Sequence, residues 1–339
     1  MLNVGFIGCG SIGRDHIERV RNTVAGGRVA GVFDVVDEAA RKAVSDFEVD
    51  AKVYGSAQEL IDDDAIDVVV VASRNDAHLE PILRCIEIGK NVLTEKPLTK
   101  TSEESRKIVD AEVAAGRRFV QVGFNRRYDP GYRRLKAIVE SGEIGSLLLS
   151  NCRHYNAAPA TSYYKTDDVI LDTFIHEIDV MQWLFGENYA AIEMKIGKRN
   201  SLNPAPDLDE PQLAIVETES GAIITVEINI NCQYGYDIQC RLVGESGIVA
   251  LPDPAMPEIR KNLAITREID PSWTARFEES YNEEFKAFFQ SVARTGGPAA
   301  IPTAWDGYIA NITGEAALAS LHDKRRVEIN IPEKPDLYK

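Results

Sequence analysis

Along the first 123 residues the apolar positions follow two alternating periods. Continuous apolar runs at residues 2–7, 26–34, 65–73, 90–98 and 117–124 read as short strands buried on both faces. Between them lie segments with helical spacing: one opening after residue 10, "SAQELIDDD" (56–64), "HLEPILRCIEIG" (78–89) and "TSEESRKIVDAEVAAG" (101–116). Ser56/Glu59 and Thr101/Glu104 stand at capping-box spacing, and Gly89 and Gly116 are placed to close their helices. This repetition predicts an open, mostly parallel sheet with helices on both faces. From about residue 124 the pattern changes. A helix at 131–145 and an extended run at 145–156 lead to a helix over 167–183, then to strands at 189–197, 211–218, 221–231, 235–243 and 247–251. Glycine- and aspartate-bearing turns join most of them, which predicts a largely antiparallel sheet, helix-covered on one face and open on the other. Amphipathic helices at 281–297 and 301–321 could pack back on either part. The expected architecture is α/β plus α+β, with a Rossmann-type domain over 1–123 and a substrate-binding and oligomerisation domain over 124–339.

Length agrees, since 339 residues are long for a single core. The net charge of −15 argues against a nucleic-acid partner or an anionic membrane surface. No apolar run approaches the roughly 20 residues of a bilayer span, and the opening residues lack the basic and apolar regions of a secretory signal. The five cysteines are scattered, without a C-x-x-C pair, so they predict reduced thiols in a cytoplasmic protein.

The first strand runs into Gly8-x-Gly10-x-x-Gly13 and then into a helix, the context that makes this motif a dinucleotide site. Its glycines permit a tight turn, close approach of backbone to a pyrophosphate, and close packing of helix on strand. Ser11, Ile12 and Gly13 open the helix and present its N-terminal N–H groups to the phosphates. Asp34 ends the second strand, where a carboxylate bonds both ribose hydroxyls and repels a 2′-phosphate. With no Arg or Lys beside it, NAD is favoured over NADP. Ser73, Glu95 and Lys96 fall at later strand ends, where ligands of such sheets bind. Pro97 holds Lys96 extended, so Lys96 is either a cofactor-crevice residue or a solvated lysine.

In "DDVILDTFIHEIDVMQW" (167–183) a regular helix would gather Asp172, His176 and Asp179 on one face. A histidine between isoleucines with a carboxylate one turn away suits a general base. A solvated charged face explains Glu177 better than it explains His176. Cys152 and His154 share one face of a strand without a recognised ligand spacing, so no metal site is expected.

G-x-G-x-x-G, the strand-end Asp34, Glu95-Lys96-Pro97 and the Asp172-x-x-x-His176 helix together resemble the glucose–fructose oxidoreductase/inositol dehydrogenase (Gfo/Idh/MocA) family. "FVQVGFNRRYDPGY", "LDTFIHEIDVMQWL", "NCQYGYDIQCRLVGESGI" and "IPTAWDGYIA" resemble its bacterial inositol 2-dehydrogenases, and the likeness spans nearly the whole chain. The resemblance implies oxidation of myo-inositol with NAD, with Lys96, Asp172 and His176 as the catalytic set. It implies substrate contacts from Arg126, His154, Asn156, Thr173, Asp179 and Tyr236, and a cofactor role for His78. It also implies a homodimer or homotetramer joined through the open sheet face. Each contact has an ordinary reading too: Arg126 paired with an acid such as Asp129, Tyr236 a cross-strand packing residue, His154 a core histidine, His78 a helix start. The pattern departs at Arg74, at Asn125 and loosely over 157–168, all bordering the implied pocket. Within the family, a dehydrogenase of another inositol or sugar, a non-enzymatic NAD-binding regulator, and an enzyme using NAD transiently stay open.

Overall fold

The computed structural model describes residues 1–157, 164–252 and 257–339. The chain divides into two compact units, one of Met1–Asn125, Tyr281–Asn311 and Pro332–Lys339, the other of Arg126–Ser280 and Ile312–Ile331.

The first unit carries β1 (Leu2–Ile7), α1 (Ser11–Asn22), β2 (Gly27–Phe33), α2 (Asp37–Asp46), β3 (Lys52–Val53), α3 (Ala57–Asp62), β4 (Val68–Val71), α4 (Leu79–Ile88), β5 (Asn91–Glu95), α5 (Ser102–Ala115) and β6 (Val120–Gly123). The six strands are parallel in the order β3-β2-β1-β4-β5-β6, a doubly wound sheet whose direction of winding changes between β1 and β4. The valines of β4 are fully buried, as a central parallel strand requires. Both capping boxes form: the Ser56 hydroxyl accepts from Glu59 N–H at 3.1 Å and the Thr101 hydroxyl from Glu104 N–H at 3.3 Å. The glutamates reach one residue further back than the motif requires, to the N–H groups of Gly55 and Lys100. Gly89 and Gly116 end α4 and α5 in the left-handed conformation. The strands and helices read from the pattern are present; α2 and β3 are additional elements, too short on apolar periodicity to announce themselves.

The second unit holds α6 (Pro130–Glu140), β7 (Leu147–Tyr155), a π-helical turn (Val169–Phe174) and α7 (Ile175–Phe185). They are followed by β8 (Tyr189–Ile196), β9 (Gln212–Thr218), β10 (Ile223–Asn229), β11 (Asp237–Gly244) and β12 (Ile248–Ala250). An exposed hairpin of β13 (Glu258–Lys261) and β14 (Ala264–Arg267) is likewise additional; it lacks a buried face whose alternation would mark it. α8 (Trp273–Thr295) and α9 (Ala304–Asp323) each run from one unit into the other, and β15 (Val327–Glu328) completes the set. The seven-stranded sheet is ordered β12-β11-β7-β10-β9-β8-β15, antiparallel except where β7 meets β10. Alternate residues of β9, β10 and β11 are buried, so one face packs and the other stays open. Among the described residues no helix is long and apolar enough to cross a membrane.

The later part of α8 belongs to the core of the first unit. Phe285, Phe288 and Phe289 cluster with Val4, Phe6, Ile17 and Val29. Phe285→Ala is therefore expected to cost about 3–5 kcal/mol, read as a lower urea midpoint; a loss under about 1 kcal/mol would place this helix outside the core.

Candidate active site

Gly8, with φ of 100°, turns the chain out of β1; a Cβ there would lie 2.5 Å from the carbonyl of Ala72 and 2.6 Å from Ser73 N. Gly13 lies so close over the Gly8 carbonyl that a Cβ would collide with it. At Gly10, the N-cap of α1, a Cβ would meet nothing within 4 Å, and no side chain caps the first turn, which contains no acid. An open concavity against bare helix N–H groups suits a pyrophosphate. The Asp34 carboxylate is fixed beside it, accepting from Cys9 N–H at 2.7 Å and Val36 N–H at 2.8 Å. Burial, then the charge of Asp34, pushes the Cys9 thiol up to about 12, so Cys9 is a packing residue. The buried Ser73 hydroxyl at the end of β4 has no partner among the described residues, an orphan that a ligand can satisfy. Together these features fit a dinucleotide. Arg74 is mostly exposed, beside Asp76.

Glu95 ends β5 in the core and Lys96 follows it, half-buried, at a cis Lys96–Pro97 peptide. Glu95 is bonded to His16 of α1 at 2.7 Å. Burial works to raise the Glu95 carboxyl, but the His16 contact and the Lys96 charge hold it below its ordinary range. His78 is fully buried, with its ring nitrogens 2.9 Å from the Pro97 carbonyl and 3.1 Å from that of Ser73. It ties the turn after β4 to the turn after β5. Burial lowers its affinity for a proton, so the ring is neutral and donates to one carbonyl at a time.

In the second unit Asp172 lies in the π-helical turn and His176 in the first turn of α7, both half-buried. Thr173 is buried with its hydroxyl against that of Tyr164. His154, on β7, has its ring centroid 6.2 Å from that of His176 and 6.0 Å from that of Tyr236. His154, His176 and Tyr236 therefore line one region, with Asn156 just beyond β7. Residues 158–163, most of the loosely matching 157–168 segment, lie outside the described residues.

Asp179 departs from the expected stripe. The wider π turn changes the helical register, so the seven-residue spacing from Asp172 no longer returns to one face. Asp179 is 1% exposed and accepts a fork from Arg127, Nε at 2.9 Å and Nη2 at 2.6 Å. Glu177 is not on a solvated face either: it is 1% exposed, ion-paired with Arg126 and 2.9 Å from His154 Nδ1. Arg126 Nη2 also faces that nitrogen at 3.1 Å; Nδ1 can accept from the guanidinium or donate to the carboxylate, one at a time. Arg126 thus pairs with Glu177, while Asp129 caps α6 and pairs with Arg276 at 2.7 Å. The adjacent arginines of "NRRY" are the one sequence signal that two buried acids need partners. Cys152 meets Met181, sulfur to sulfur, at 3.5 Å.

Residues 2–124 match the family model described as "Oxidoreductase family, NAD-binding Rossmann fold", and residues 136–329 match its "C-terminal alpha/beta domain". The chain belongs to the Gfo/Idh/MocA oxidoreductase family. NAD is the cofactor of this Gfo/Idh/MocA member, consistent with Asp34 and the glycine turn. It is 42% identical to an inositol 2-dehydrogenase of Pseudomonas fluorescens over 99% of both chains. It is 41% identical to one of Salmonella paratyphi B over 100% of this chain and 99% of that one. Its fold is similar, with a TM-score of 0.97 and 39% identity over the full length of both, to the crystal structure of myo-inositol dehydrogenase from Lactobacillus casei in complex with NAD(H) and myo-inositol.

Two outcomes are expected. Asp179→Ala strands the buried Arg127 charge and should cost about 3–5 kcal/mol in urea unfolding; a loss under about 1 kcal/mol would mean that the fork is solvated. Because folding lowers the proton affinity of His78, the unfolded chain binds a proton there that the folded chain does not. Its contribution is present above the unfolded value of about 6.5 and is lost as pH falls through it. In His78→Gln the decline of the urea midpoint between neutral and mildly acid pH should be shallower than in the natural chain; equal declines would contradict this.

Proposed function

We propose that this chain is an NAD-dependent inositol 2-dehydrogenase that oxidises myo-inositol at its axial hydroxyl to 2-keto-myo-inositol. The observation that carries the reading is the full-length likeness to inositol 2-dehydrogenases. The presence of Lys96, Asp172 and His176 supports it. Oxidation of a secondary alcohol gives up a hydride from carbon and a proton from oxygen; bound NAD supplies the acceptor of the first, at nicotinamide C4. The chain handles the second. His176 takes the hydroxyl proton as general base, and Asp172 orients the imidazole and balances its charge as the proton arrives. Lys96 donates a hydrogen bond to the same oxygen and stabilises its developing charge. An uncharged polyol requires several fixed donors and acceptors. Arg126, His154, Asn156, Thr173 and Tyr236 supply them in this reading, with Asp179 contributing through its pair with Arg127. The chain works in a reducing cytoplasm and assembles as a homodimer or homotetramer through the open face of the seven-stranded sheet.

The test is NADH formation by the purified protein with NAD and myo-inositol, beside scyllo-inositol, chiro-inositol and glucose, with NADP in parallel. Myo-inositol with NAD should turn over fastest. Turnover of another ring alone would move the specificity to residues 156–165, and tight NAD binding without any NADH would favour a regulator or transient redox. Lys96→Met and His176→Ala should each lower kcat by about 100-fold or more; undiminished turnover in either would refute the proton path.

A further inference from the structure

The lysine assigned to the substrate oxygen sits between two residues that are each tied to a fully buried imidazole. On one side, Glu95 Oε2 accepts the Lys96 backbone N–H at 3.2 Å while Glu95 Oε1 meets His16 Nε2 at 2.7 Å. On the other, the Pro97 carbonyl faces His78 Nδ1 at 2.9 Å. The contacts on the Glu95 side continue inward. His16 Nδ1 lies 2.6 Å from Arg19 Nη1, and Arg19 is held by Asp15 at 2.7 Å and by Asn282 of α8 at 2.9 Å.

The chemistry fixes the direction of this chain of bonds. A guanidinium has only donors, so Arg19 donates and His16 Nδ1 accepts. The one proton of the imidazole then resides on Nε2 and is donated to Glu95. The rings of Phe285, at 4.7 Å, and Tyr281, at 5.4 Å, pack against His16 and exclude water. Room for the carboxylate comes from β6: a Cβ on Gly123, in register with Glu95, would lie 3.3 Å from Glu95 Cδ. A buried carboxylate beside a lysine would ordinarily draw the ammonium to itself. Here its charge is already engaged by the His16–Arg19 pair, which leaves the ammonium for another oxygen.

We propose that His16 is a positioning residue for Lys96, acting through Glu95, while His78 holds the other side of the same turn. The inference rests on the reading that Lys96 acts on the substrate. Since His16 lies one turn beyond Gly13 on α1, the helix that offers its N-terminus to the dinucleotide also sets the lysine. Without the His16 bond, Glu95 turns to pair with the Lys96 side chain.

The experiment uses full-length His16→Phe, which keeps a ring and removes both nitrogens, and His16→Gln, which keeps a donor toward Glu95. Three readouts are taken: NADH affinity by fluorescence, the rate at which an amine-acylating reagent modifies Lys96 in the NADH complex at one fixed pH, and turnover of NAD with myo-inositol. His16→Phe should slow Lys96 acylation at least about threefold and lower kcat about tenfold, with NADH affinity within about threefold. His16→Gln should recover most of both losses. Unchanged acylation in His16→Phe, or equal damage in both variants, would overturn the proposal. Should His16→Phe fail to fold, Glu95→Gln decides: removing the charge should alter Lys96 acylation at least about threefold, and an unaltered rate would overturn it. Acylation reads the lysine whatever the substrate, so a natural chain that ignores inositol would refute the proposed activity without touching the role of His16.

Discussion

The contact on which the first unit depends is the close approach of α1 to the end of β1, where Gly13 lies over the carbonyl of Gly8 and leaves no room for a methyl group. That approach brings the helix N-terminus to the cofactor, where its partial positive charge opposes the phosphates. The same face of α1 carries His16, Ile17 and Val20 into the core. A glycine contact that looks like a ligand device is therefore also what seats a histidine under the E-K-P turn. Cofactor cradle and lysine are set by one rigid helix, the arrangement that a site needing fixed geometry favours.

In the second unit the comparable constraint is burial of charge. Two consecutive arginines in the 3₁₀ turn Asn125–Tyr128 take two acids of α7, Arg126 with Glu177 and Arg127 with Asp179. Residues 177 and 179 leave the helix on different sides, so the turn grips α7 across Ile178, whose carbonyl also accepts the Tyr189 hydroxyl at 2.7 Å. Such pairs add little net stability over apolar packing, but neither member tolerates loss of the other, so they hold one arrangement against alternatives. What stays half-buried on this segment is Asp172 and His176, the groups with chemistry to perform.

Much of the fold is legible in the sequence because its signals are local. The all-valine β4, the Ser56 and Thr101 caps and the glycine stops at 89 and 116 follow from backbone propensity and short-range hydrogen bonding. So does the glycine turn, since only glycine tolerates the φ of Gly8 and the contact of Gly13. Elements without such signals are silent in the pattern: α2, and the exposed hairpin of β13 and β14. In the site, Glu177 looks in sequence like a surface acid and Asp179 like a pocket acid. A carboxylate reads the same there whether water or a buried guanidinium faces it.

The sequence alone determined the order of elements, the dinucleotide turn, the preference of Asp34 for an unphosphorylated ribose, and the residue types available for proton transfer. Each is a property of a residue and its near neighbours along the chain. The tertiary structure decided which charges are buried and with whom. It paired Arg126 with Glu177, drew Asp179 off the Asp172–His176 face through the π turn, and joined Lys96 to α1 through Glu95 and His16. Those outcomes depend on contacts between residues as far apart as 16 and 95. They are fixed only when packing excludes water and each buried polar group must find its partner.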